Sequence, residues 1–273
     1  GVPGAVALYE LAHTSHGLLP WSMLFEPAIE LATEGFVVSE KLAGYLPQMA
    51  QIARLDENPG AAEYFYPGGE PLQAGDLLRN PEYANTLRRI AEEGAAAFYS
   101  GDIAAEIVAA VQSEPIPGSM TLDDISNYQA LTREAICGPW RVYQVCSASP
   151  PSSGAMQIMV ANQYDHLLPE PANLAQKVQA FVDSQRLAYA DRDYYFGDPD
   201  RVDVPVDELL DPRYLEYRAS NPIAPDAVPT HGDPSTVLGN SSAAVRGPDT
   251  TNEAAGTTHF SIVDQYGNAV SAT

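Results

Sequence analysis

Basic side chains are scarce in this sequence: 14 Lys and Arg stand against 36 Asp and Glu, a formal net charge of −22. The resulting field repels phosphate backbones and anionic membrane surfaces, which excludes nucleic acid as a natural partner. Long apolar runs are missing too. None approaches the ~20 residues needed to cross a bilayer, and the opening stretch GVPGAVALYELAHTSHG reads as the inside of a domain rather than as a signal peptide. Gly1 stands where a Met would begin a chain, so the compartment is not legible. The five histidines, at 13, 16, 166, 231 and 259, show no clustered ligand spacing with Cys or carboxylates, which gives no reason to expect a metal. His13 and His16 read as a solvated helix end. The two cysteines, Cys137 and Cys146, flank ICGPWRVYQVC. A turn at Gly138-Pro139 sets Cys137 beside Trp140 rather than opposite Cys146, which argues against a disulfide. No G-x-S-x-G elbow is present.

What the sequence does have is 273 residues of which 45% are hydrophobic, enough for one large core or two small ones. Its grammar is helical first. Asn80-Pro81 reads as a cap followed by proline at the first helical position, and Gly94 ends that pattern. Ser39 caps EKLAGYLPQMAQIARL, Gly35 closes EPAIELATE, and Thr121 with Asp124 forms a capping box. Between 130 and 147 the period changes to two, which predicts a hairpin, and PPSSG then starts a helix near Gly154. Ser152 and Ser153 read as that helix's cap rather than as nucleophiles. A long helix is expected over 173–196, with Arg186, Asp191, Arg192 and Asp193 as ion-paired surface.

From Asn221 to Gly256 the chain is rich in Pro, Gly, Ser, Asp and Thr, and it is expected to be a mobile loop. It ends on GTTHFSIVDQYGNAVSAT. Alternation puts Thr257, His259, Ser261 and Val263 on one face of a strand, and a turn at DQYGN returns AVSAT antiparallel, with Asp264 expected opposite Ala269. A Thr beginning a strand after a cuttable loop suits an N-terminal nucleophile. Its own α-amino group, with a pKa of about 7.7–8.0, can serve as base once the preceding bond is cut. Gly256 suits the cut, since without a Cβ it lets its carbonyl bend toward the Thr257 hydroxyl. A buried strand after a disordered loop would give the same residues.

Five blocks taken in order, GVPGAVALYELAHTSHGLLPWSMLFEPAIELATEGFVVSE, DDISNYQALTREAICGPWRVY, PPSSG, RLAYADRDYYFGDPDRVDVPVDELL and GTTHFSIVDQYGNAVSAT, resemble the γ-glutamyltransferase (γ-glutamyltranspeptidase) family across nearly the whole chain. The resemblance implies an α+β fold, the Ntn-hydrolase αββα four-layer sandwich, made as a precursor that cuts itself. Residues 1–256 would then be the large-subunit portion, with 221–256 as the processing loop, and 257–273 the beginning of the small subunit, all part of one domain. Gly256 and Thr257 would flank the cut, and Thr257 would be the catalytic nucleophile. The donor would be glutathione or another γ-glutamyl amide and the acceptor water, an amino acid or a peptide. The remainder of the small subunit would be a partner, and neither metal nor organic cofactor is implied. A periplasmic or secreted location follows from the resemblance alone.

Three features of the family lie outside these residues: an Arg for the substrate α-carboxylate upstream of the GVPG block, a Thr two residues past Thr273 that contacts the nucleophile, and the groups for the oxyanion and the substrate amine further on. A related acylase of the same fold, such as a cephalosporin (glutaryl) acylase, and an unprocessed non-catalytic homologue are the alternatives.

Overall fold

The computed structural model describes residues 1–114, 117–221, 223–239 and 257–273. Its contacts divide the chain into two compact units, Gly1–Leu131 and Thr132–Thr273. The class is α+β: among the described residues, helices with three separate antiparallel strand pairs.

The first unit contains α1 (Ala5–His16), α2 (Glu26–Glu34), β1 (Phe36–Val37), α3 (Glu40–Ala53), α4 (Pro59–Phe65), β2 (Leu77–Leu78), α5 (Pro81–Glu93), α6 (Ala96–Tyr99), α7 (Gly101–Val111) and α8 (Leu122–Ser126). The expected caps are in place. Ser39 accepts from the Leu42 N–H and Asn80 from the Tyr83 N–H, while Thr121 and Asp124 form the reciprocal box. Gly35 and Gly94, which close α2 and α5, have φ of 90° and 82°, the left-handed region that a Cβ disfavours. One core gathers Val38, Leu46, Tyr66, Leu72 and Leu78, and another Ala95, Tyr99, Ala104, Val108 and Ile125. His13 and His16 do end α1, with His13 Nε2 2.7 Å from the Leu19 carbonyl oxygen.

The second unit opens with a hairpin of β3 (Ile136–Trp140) and β4 (Tyr143–Ser147), followed by α9 (Gly154–Leu167), α10 (Leu174–Tyr195), α11 (Val206–Leu209), α12 (Pro212–Ser220) and α13 (Ser235–Leu238). It closes with β5 (Phe260–Val263) and β6 (Ala269–Ala272). Helices α9, α10 and α12 pack around Met156, Met159, Ala188, Leu209, Tyr214 and Leu215. At about 1.5–3 kcal/mol for each fully buried large apolar side chain, this cluster is a major stabilising element of the unit. Ser153 occupies the cap position of α9, yet its side chain makes no capping bond. Asn173 and Gln176 cap α10 reciprocally.

The disulfide expectation is overturned. Cys137 and Cys146 are directly opposed across β3 and β4 and bonded, with Cα atoms 4.1 Å apart. The turn lies at Arg141-Val142, between the paired Trp140 and Tyr143, and Arg141 takes the positive φ, 55°, of a two-residue hairpin loop. Gly138 is a strand residue for a different reason. A Cβ there would meet Ile158 Cγ2 at 2.5 Å, so glycine lets the hairpin lie against α9.

The segment over 221–256 divides. Residues 240–256, and with them Gly256 and the expected mobility of that stretch, lie outside the described residues. In the described part, Arg186 donates to the carbonyls of Ala224 and Ala227, Arg218 donates to that of Thr230, and Tyr195 donates to that of Gly232.

Candidate active site

The residue proposed from sequence as nucleophile, Thr257, is exposed three residues before β5. Beyond it the hairpin sorts its side chains by face, as period-two geometry requires. Phe260, Ile262 and Val270 are apolar and exposed on one face. On the other, His259 Nδ1 lies 2.7 Å from Thr273 Oγ1, and its Nε2 lies 3.0 Å from Ser261 Oγ and 3.4 Å from Ser271 Oγ. One imidazole thus ties the two strands together on the face to which alternation assigns Thr257.

The register differs from expectation by one residue: Val263, not Asp264, pairs with Ala269. Asp264 belongs to the turn. Its carboxylate accepts from the backbone N–H of Tyr266 at 2.9 Å, from that of Asn268 at 2.9 Å, and from the Asn268 side chain at 2.7 Å. These donors hold its pKa below the usual carboxylate value, the Asn268 side chain foremost and burial opposing. Gly267, at φ 86°, makes the tight return possible.

Asp191 was expected on a charged surface and is fully buried instead. Arg186–Asp183 and Arg192–Asp193 are the ion pairs nearer the helix exterior. The Asp191 carboxylate accepts from Arg218 Nε at 3.1 Å, the Tyr214 hydroxyl at 3.0 Å and the Gly232 N–H at 2.7 Å, and Arg218 Nη2 lies 3.0 Å from it as its ion-pair partner. Burial pushes this carboxyl up, while Arg218, Gly232 and Tyr214 pull it back. Burial likewise drives the Tyr214 phenol upward, so it remains a hydrogen-bond donor. The group can anchor the chain at Gly232, but it is enclosed and offers no reacting atom to a substrate. Its helical spacing was a readable signal: Ala180, Ser184, Leu187, Ala188, Asp191 and Tyr195 form the buried stripe of α10.

An open cleft of about 800 Å³ lies between the β3–β4 turn and the end of α9, lined by Trp140, Arg141, Tyr164, Leu168, Glu170 and Lys177 among others. Arg141 is forked onto Asp165, and its guanidinium carbon lies 4.8 Å from the centre of the Trp140 ring. No residue of the β5–β6 hairpin lines this cleft. Among the described residues no group of three or more His, Cys, Asp or Glu converges as a metal site would. No helix among them is long and apolar enough to cross a membrane.

Solved structures place the fold in a class. The γ-glutamyltranspeptidase of Helicobacter pylori aligns with a TM-score of 0.72 at 34% identity, over 84% of this chain and 65% of that one. A cephalosporin acylase from Bacillus halodurans aligns with a TM-score of 0.75 at 26% identity, over 85% of this chain and 44% of the acylase. The fold is therefore one shared by transpeptidases and acylases. The family is more specific: all of residues 1–273 match the gamma-glutamyltranspeptidase family, and the chain belongs to it. A glutathione hydrolase proenzyme of Escherichia coli (strain K12) is 35% identical over 277 residues, covering 100% of this chain and 45% of its own length. The chain spans somewhat less than half the length of that curated relative.

Proposed function

We propose that this chain is the portion of a γ-glutamyl-transferring enzyme that carries its nucleophile, Thr257, and that it adopts the four-layer αββα Ntn-hydrolase sandwich together with the remainder of the protein. Residues 1–256 form the large-subunit portion and 257–273 begin the small subunit. The observation that carries this reading is the family match over the entire chain, with Thr257-Thr258-His259 leading into β5.

In the precursor, the Thr257 hydroxyl attacks the Gly256 carbonyl. The acyl group moves from nitrogen to oxygen, and water hydrolyses the ester, which frees the Thr257 α-amino group. That amine, near neutral in pKa, then takes the hydroxyl proton as Thr257 attacks the γ-carbonyl of glutathione or another γ-glutamyl amide. The departing amine takes a proton, and the acyl-enzyme passes to water, an amino acid or a peptide amine. The hairpin register supports Thr257 as the residue at the centre. Extending Phe260↔Ala272 toward the N-terminal side sets Thr257 opposite the second position after Thr273, where the family resemblance puts the Thr that contacts the nucleophile.

The test is release of a chromogenic amine from a γ-glutamyl anilide by the full-length protein. Thr257→Ala is expected to leave one uncut, inactive chain, whereas Thr257→Ser, which keeps a hydroxyl but loses the methyl that restricts the rotamer, still cuts itself and retains part of the activity. Activity in an uncut Thr257→Ala protein would refute the proposal. A second reading, an acylase that takes glutaryl amides, draws on the alignment with the Bacillus halodurans cephalosporin acylase. A glutaryl anilide lacks the α-amino group of the γ-glutamyl one, so preferential turnover of the glutaryl substrate would favour that reading.

A further inference from the structure

Among the described residues of the second unit, the Cys137–Cys146 bridge carries reactive chemistry that the proposed activity does not use. We propose that it is a thiol-exchange site, open to a small-molecule thiol and able to cycle between disulfide and dithiol while the protein stays folded.

Two sets of observations support this. The first is access. Gly138 is buried against Ile158 of α9, so its strand neighbour Cys137 belongs to the opposite face of the hairpin, and both Cys137 and Cys146 are exposed. Exposed disulfides are the labile ones, since a thiolate must reach a bridging sulfur along the line of the bond to break it. The second is redundancy. The hairpin is seated by contacts that involve neither cysteine: Asn162 Nδ2 donates to the Pro139 carbonyl at 3.1 Å, Ser147 Oγ donates to Gln157 Oε1 at 3.1 Å, and Arg141 is forked onto Asp165. Four residue pairs besides the cysteines, Ile136↔Ser147, Gly138↔Val145, Pro139↔Gln144 and Trp140↔Tyr143, fix the register independently of the bridge. The bridge also closes a separation of only nine residues, so the entropy it removes from the unfolded chain is less than a long loop would give. A staple the fold does not need can be opened without unfolding.

The chemistry balances with the thiol as the sole reductant. A small-molecule thiolate attacks one Sγ, the Cys137–Cys146 bond breaks as a mixed disulfide forms, and the displaced cysteine thiolate takes a proton. A second thiolate attacks the small-molecule sulfur of that mixed disulfide. It releases the small-molecule disulfide and a second protein thiol, so that two electrons have passed from two thiols to the bridge. Opening removes the covalent tie from the hairpin whose turn carries Trp140 and Arg141 into the 800 Å³ cleft, while its pairing and side-chain contacts keep it in place. Exchange at this bridge is independent of the activity proposed above.

The probe is 2-mercaptoethanol, a thiol with no γ-glutamyl group, at millimolar concentration, applied to the full-length protein under native conditions, with iodoacetamide quenching and peptide mapping. Cys137 and Cys146 are expected to take no label before treatment. After treatment both are alkylated, or one carries a mercaptoethanol adduct, and 2-hydroxyethyl disulfide restores the unlabelled state. The Cys137→Ser/Cys146→Ser double variant is expected to keep a cooperative thermal melt. Labelling without treatment would show that there is no bridge, and labelling only after denaturation would show a buried staple. A double variant that fails to fold would show that the bridge is required. Each of these results overturns the proposal.

Discussion

Asp191 sits where water cannot solvate its charge, and three donors together with the Arg218 charge replace the lost hydration. Replacing it with Asn keeps the shape but removes the counter-charge of Arg218, itself only 7% exposed. Asp191→Asn is therefore predicted to destabilise the protein by about 3 kcal/mol, the order seen when one member of a buried ion pair is removed, measurable as a lower urea midpoint. A midpoint unchanged from that of the parent would show that the pair contributes nothing to stability. At this scale the sequence was only partly legible. The polar cap residues declared themselves because each acts within three residues of its own position. Asp191 was misread because its partners Arg218 and Gly232 are distant in sequence, and a charge in RLAYADRDYYFGDP looks the same whether it faces water or an arginine. The helical stripe on which it lies was the available clue.

At the scale of elements, the β5–β6 hairpin depends on a turn organised by one carboxylate. Asp264 has its pKa lowered by the donors around it. The stability it gives the turn is therefore fully present above the ordinary carboxylate value of about 3.9 and is lost as pH falls through the lowered folded value. Titration of the Asp264 carboxyl followed by NMR in the full-length protein should show a midpoint below the ordinary one, with protection of the Asn268 amide lost in the same step. A midpoint at or above the ordinary value would contradict the turn described here. The turn also explains the error in register. Alternation tells which residues share a face, and it correctly joined His259 with Ser261, but it does not say how many residues the turn consumes. The β3–β4 hairpin failed for a related reason. Gly-Pro reads as a turn from composition, whereas this glycine is required by Ile158, a residue 20 positions further along the chain.

For the whole molecule, the shift between helical and two-residue periods showed helices followed by a hairpin, while the α+β class came with the family resemblance carried by the five blocks in order. The separation into Gly1–Leu131 and Thr132–Thr273 was not foreseen, because no linker of distinctive composition marks it. The functional account turns on a bond whose second residue is an exposed Thr at the threshold of a strand. The measurement that addresses it most directly is N-terminal sequencing and intact mass of the fragments of the full-length protein after self-cleavage. The account predicts a small fragment that begins Thr257-Thr258-His259-Phe260 and an uncut chain for Thr257→Ala. A fragment that begins at Thr258, or an active protein that remains one chain, would contradict it.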